Sequence, residues 1–123
     1  MDQKTFYATV AERAGLSKEE AQDLSRATLE AIALQLSSGE IHKLVAVLPD
    51  WLEDSVPRHG RPAHPVKARE FVAQLARRTG LKEDEVRRGV AAVLTTLREV
   101  MDPRHLDHAL DLLPKEYRQL QTA

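Results

Sequence analysis

Arg58, Arg61, Lys67, Arg69, Arg77, Arg78, Lys82, Arg87 and Arg88 place nine positive charges between residues 58 and 88, against four negative ones. Lysine and arginine at that density can meet an anionic partner, because they displace the counterions that shield phosphates or carboxylates. The candidate residues for such binding are Arg58, Arg61, Lys67, Arg69, Arg77, Arg78, Arg87 and Arg88. A nucleic-acid track also needs aromatic side chains that stack on bases, and none interleave here. The whole chain carries a net charge of −1, unlike a typical nucleic-acid binder. The competing reading is a solvated face that complements the first 57 residues, where 10 acidic side chains face 5 basic ones. That reading is preferred.

His105, Asp107, His108 and Asp111 fall on one short helical stretch, and the last three can share its outer face. With His42, His59 or His64 they have the donor types of a divalent-metal site. The Glu-x-x-His motif of carboxylate-bridged bundles is absent, so a polar outer face is the expectation and no metal or other cofactor is assigned. Trp51 is the sole tryptophan. It is a candidate anchor for a partner, since tryptophan is enriched in binding hot spots. Packing over the turn at Pro49 is the preferred reading. No nucleophile elbow, phosphate-cradling glycine loop or dinucleotide fingerprint occurs. Carboxylates such as Glu19-Glu20 and Glu83-Asp84-Glu85 open helices, where the helix dipole favours them. An enzyme is not expected.

The chain of 123 residues has no cysteine, which excludes disulfides, thiolate zinc sites and thiol chemistry. It has no apolar run long enough to span a membrane and no signal-peptide pattern at Met1-Asp-Gln-Lys-Thr5. A cytoplasmic protein is the simplest expectation.

The elements that must position these side chains are written twice. Phe6 to Leu16 returns as Phe71 to Leu81, and the offset of 65 holds without a gap to Leu48-Pro49 and Leu113-Pro114. Phe6, Ala8, Ala11, Arg13, Gly15, Leu16, Glu20, Ala27, Leu29, Leu48 and Pro49 are identical in both copies, where chance would supply about three. The spacing predicts a helix from about Gln3 to Ala14, stopped by Gly15 in the left-handed conformation. Ser17 and Glu20 form a capping box for a second helix to about Leu36. Its apolar arc is too wide for one neighbour, so it is central. Ser37 and Glu40 read as another box, opening a third helix that Pro49 ends. Asp50 to Ser55 makes a short final helix.

Residues 56–65 hold three of the six prolines and form a linker. The second copy predicts helices over Val66 to Thr79, Glu83 to Val100, Pro103 to Leu112 and Lys115 to Gln121. Lys82 stands where the first copy has Ser17, and Gly89 where it has Leu24. The expected fold is all-α: two repeated three-helix units, residues 1–55 and 66–123, each with a short terminal helix. They are expected to pack as one pseudo-two-fold domain, because a fifty-residue unit alone buries little.

The pattern Phe-x3-Val/Leu-Ala-x-Arg-x-Gly-Leu-x3-Glu, then a long Ala/Leu helix, then Leu-Pro, resembles the bacterial family called domain of unknown function 2267. The motif lies at Phe6–Glu20 and Phe71–Glu85, with the Leu-Pro steps at Leu48-Pro49 and Leu113-Pro114. The likeness runs from Gln3 to about Leu120. It implies an all-helical cytoplasmic protein from bacteria and brings no activity, substrate or catalytic residue. The functional expectation is a non-catalytic module that binds an unidentified protein partner or itself. The alternative is a nucleic-acid-associated protein using residues 58–88.

Overall fold

The structure is a computed structural model and describes residues 1–57 and 65–121. Among them all regular structure is helical: α1 (Gln3–Ala14), α2 (Lys18–Ala33), α3 (Ser38–Val47), α4 (Asp50–Glu53), α5 (Ala68–Thr79), α6 (Glu83–Val100), α7 (Pro103–Asp111) and α8 (Tyr117–Leu120). The starts of α1, α2 and α3 recur 65 residues later in α5, α6 and α7. No helix of the described residues is long and apolar enough to cross a membrane.

The helix ends follow from local chemistry. Gly15 (φ 68°) and Gly80 (φ 76°) take the left-handed conformation that side chains with a Cβ avoid. Both halves of the Ser17–Glu20 box form: Ser17 Oγ accepts the Glu20 N–H at 3.1 Å, and Glu20 Oε1 accepts the Ser17 N–H at 2.9 Å. At Lys82 only Glu85 contributes, accepting the Lys82 N–H at 2.9 Å, since an ammonium has no lone pair to offer. At the third helix Ser37 Oγ accepts the Glu40 N–H. The Glu40 carboxylate turns to Lys43 and His108, so the expected second box is a half-box.

Several boundaries differ from expectation: α4 ends at Glu53 rather than Ser55, and α8 starts at Tyr117 rather than Lys115. The α2 helix stops at Ala33 rather than Leu36, and α5 starts at Ala68 rather than Val66. Gln35 Oε1 accepts the Val66 N–H at 2.7 Å, Tyr117 Oη donates to the Val66 carbonyl at 2.5 Å, and Gln35 Nε2 donates to Tyr117 Oη at 3.0 Å. This closed ring of three hydrogen bonds engages both backbone groups of Val66 and keeps it outside α5.

The first helix of each half packs on the second helix of the other: α1 on α6, and α5 on α2. The second helices meet each other, as do α3 and α7. Exchanging the halves therefore maps these cross-half pairings onto one another. Phe6, Val10, Leu24, Leu29 and Ile32 join Phe71, Leu75, Val90, Leu94 and Leu97 in one buried core. At the α2–α6 crossing Gly89 faces Leu24, its own repeat equivalent; an added Cβ would lie 2.1 Å from Leu24 Cδ2. Arg13 of α1 reaches Glu99 of α6 at 2.8 Å, and its equivalent Arg78 of α5 reaches Glu30 of α2 at 2.7 Å.

Candidate functional site

The nine cations of residues 58–88 do not act as one face. Arg58 and Arg61 lie outside the described residues, as do His59 and His64. Arg77 pairs with Glu70 at 3.3 Å, Arg78 with Glu30 at 2.7 Å and Arg88 with Asp84 at 3.6 Å. Lys82 is exposed at the start of α6.

Lys67, Arg69 and Arg87 are brought together. Lys67 precedes α5 and Arg69 sits in its first turn, while Arg87 projects from the second turn of α6. With Ala68, Glu116, Gln119 and Leu120 they line a cavity of about 240 Å³. All three cations are exposed, and none has a carboxylate in ion-pair range among the described residues. The α8 segment supplies the far wall, anchored because Tyr117 is buried with its ring 5.1 Å from that of Phe71.

The first half shows what occupies the corresponding place there. Glu116 is the repeat equivalent of Trp51. The half-buried Trp51 ring lies 5.2 Å from Phe6 and 5.8 Å from Tyr7, both edge-on. In the second half Val72 stands for Tyr7 and Glu116 for Trp51, while the ring beside Phe71 comes from Tyr117, whose equivalent is Leu52. Glu116, in the place of Trp51, lines the cavity. The sequence carried this signal in the Trp51–Glu116 mismatch, but only the packing connects it to the cations.

The histidine-bearing helix splits three ways. Asp107 accepts from Arg98 of α6, His108 Nε2 lies 3.1 Å from Glu40 Oε2 of α3, and Asp111 accepts from Arg118 of α8 at 2.6 Å. The outer face expected for Asp107, His108 and Asp111 is thus divided among three neighbours. His42 and His105 are exposed. Among the described residues no three His, Asp or Glu side chains gather as metal donors.

Other openings occur among the described residues. One of about 480 Å³ is lined by Asp107, Asp111, Arg118 and Gln121, whose charges already answer one another or Arg98. A second, about 320 Å³, lies between α2 and α5 and is lined by Ala31, Leu34, Val66 and Leu75, with Gln35, Gln74 and Arg78. Leu34 is 49 % exposed there. A third, about 160 Å³, is lined by Ile41, His42, Val45, Glu53 and Val56. Tyr117 and Asp102 are displaced from their ordinary pKa values. Burial pushes the Tyr117 phenol up to about 12. Arg104 and the capped backbone at α7 hold the Asp102 carboxyl down at about 2.

Residues 3–120 match the family described as Uncharacterized conserved protein (DUF2267). No curated protein matches the chain.

Proposed function

We propose, from the premise that this chain belongs to the DUF2267 family, that it is a non-catalytic helical module that binds an acidic segment of a partner protein. The binding place is the cavity lined by Lys67, Arg69 and Arg87. One observation carries the reading: these three cations converge while none of them has a carboxylate of the described residues in ion-pair range. Like charges held together repel one another, and an anionic partner relieves that repulsion and steers its own encounter. Arg77, Arg78 and Arg88 are already answered within the chain, so they do not extend the cluster into a continuous nucleic-acid track.

The same reading treats the molecule as two helical units about a pseudo-two-fold axis, the second adapted for binding. The constant offset and the meeting of equivalent residues Leu24 and Gly89 support it, since a residue touches its own equivalent only at a two-fold axis.

Fluorescence anisotropy with a glutamate-rich peptide tests the binding. Saturable binding is expected, weakened about tenfold or more when Lys67, Arg69 and Arg87 are all changed to Gln. Equal binding by that triple variant overturns the reading. Tighter binding to single-stranded RNA or duplex DNA, falling steeply with salt, would favour the nucleic-acid alternative.

A further inference from the structure

We infer that the cavity of Lys67, Arg69 and Arg87 is a receptor for a phosphoryl group, carried on a phosphoserine or phosphothreonine of the partner segment. The inference rests on the acidic-segment reading and narrows it to one chemical group.

Charge is the first argument. The walls hold three cations and one carboxylate, Glu116, a net charge of +2. A partner carboxylate would leave one positive charge over. A phosphoryl dianion closes the balance, and its three oxygens suit two arginine forks and an ammonium better than two oxygens do. A phosphomonoester is close to that dianion at neutral pH.

Size is the second. At about 240 Å³ the cavity is smaller than the ~300–1,000 Å³ of sites that enclose drug-sized ligands. It accommodates the end of one side chain, not a nucleotide.

The repeat supplies the third. In the first half the residue equivalent to Glu116 is Trp51, packed on Phe6 and Tyr7. The residues equivalent to Lys67, Arg69 and Arg87 are Asp2, Lys4 and Gln22. Where the half has a tryptophan it lacks the cation cluster, and where it has the cluster it lacks the tryptophan. Cavity and charge occur in the same half, as a bound anion requires and as a merely solvated face does not.

Glu116 makes the test decisive. Glu116→Trp installs the first half's residue: it removes a negative charge from among the cations but fills the cavity. Glu116→Gln removes the same charge and keeps the cavity open. Surface attraction alone therefore predicts tighter anion binding by both variants, whereas a phosphoryl receptor predicts loss in the first and gain in the second.

The experiment uses the full chain and fluorescein-labelled peptides of one neutral sequence carrying serine, glutamate or phosphoserine at the same position, with inorganic phosphate as competitor. The phosphoserine peptide is expected to bind wild type about tenfold or more tighter than the glutamate peptide, and the serine peptide not measurably. Glu116→Trp and Arg87→Gln should each lose that binding with helical circular dichroism retained, and Glu116→Gln should tighten it. Equal affinity for the glutamate and phosphoserine peptides overturns the phosphoryl assignment and leaves the acidic-segment reading standing. No binding of either peptide overturns both. Tighter binding by Glu116→Trp shows that the cavity is not the site. If that variant does not fold, unchanged phosphoserine binding by Arg87→Gln overturns the assignment on its own. Competition by inorganic phosphate without any peptide binding identifies a free-anion site and overturns the assignment to a partner protein.

Discussion

Thr28 is fully buried in α2, and its hydroxyl has no hydrogen-bond partner among the described residues. Valine has nearly the same shape and nothing to desolvate, and it already stands at the equivalent position, Val93. Thr28→Val should therefore stabilise the protein by ~1 kcal/mol, the cost of an unsatisfied buried hydroxyl. A rise in the urea midpoint at unchanged slope checks this. Tyr117 is the opposite case, a buried hydroxyl bonded to both Gln35 and Val66. Its phenol is raised from the usual 10 to about 12 because burial disfavours the phenolate. The neutral form is thus favoured by folding. That stability is fully present below pH 10 and drains away as the pH rises toward 12. Alkaline titration followed by phenolate absorbance should show a late step that is missing from Tyr117→Phe, and the variant's stability should fall less steeply across that window.

At the scale of elements, the caps were legible because a cap is decided by neighbours in sequence. Ser17 with Glu20, Gly15 and Gly80 needed no tertiary partner to act. Glycine at 89 was legible only as an oddity, a poor helix former inside α6. Its reason is the α2–α6 crossing, where Leu24 fills the space a side chain would take. Leucine on both helices would collide there, so one copy must give way. Gly89→Ala gains up to ~1 kcal/mol of helix propensity, but overpacking against fully buried Leu24 costs ~1–3 kcal/mol. The net effect expected is destabilisation. In a Leu24→Ala background, itself costly by ~2–5 kcal/mol, the added methyl has room and Gly89→Ala should be neutral or stabilising. A double-mutant cycle by chemical denaturation reads the sign reversal directly; additive effects would place the two residues out of contact.

For the whole molecule the cross-half pairings matter most. The first helix of each half lies on the second helix of the other, and Arg13–Glu99 and Arg78–Glu30 bridge those interfaces. Such half-exposed ion pairs add at most ~1 kcal/mol each, so their role is register more than stability. The shared apolar core supplies the cohesion. Unfolding should therefore be one cooperative event. Trp51 fluorescence, which reports the first half, and far-ultraviolet circular dichroism, which reports both, should give coincident melting curves. Two separated transitions would mean two autonomous units.

The sequence by itself determined the all-helical plan, the starts of α1, α2, α3, α6 and α7, the left-handed glycine stops and the 65-residue repetition. These depend on backbone capping and on apolar periodicity, which act over a few residues. It also marked the cationic stretch between residues 58 and 88. Only the tertiary structure decided which of those cations are answered and which converge. Arg78 is matched by Glu30, 48 residues away, while Lys67, Arg69 and Arg87 meet across α5, α6 and α8. A linear charge run contains no such information, because an ion pair depends on distance in space and carboxylates arrive from other elements. The Gln35–Tyr117–Val66 ring was hidden for the same reason: its members are scattered through the chain and share no motif. The sequence listed the charged groups, and packing determined which of them are paired within the chain.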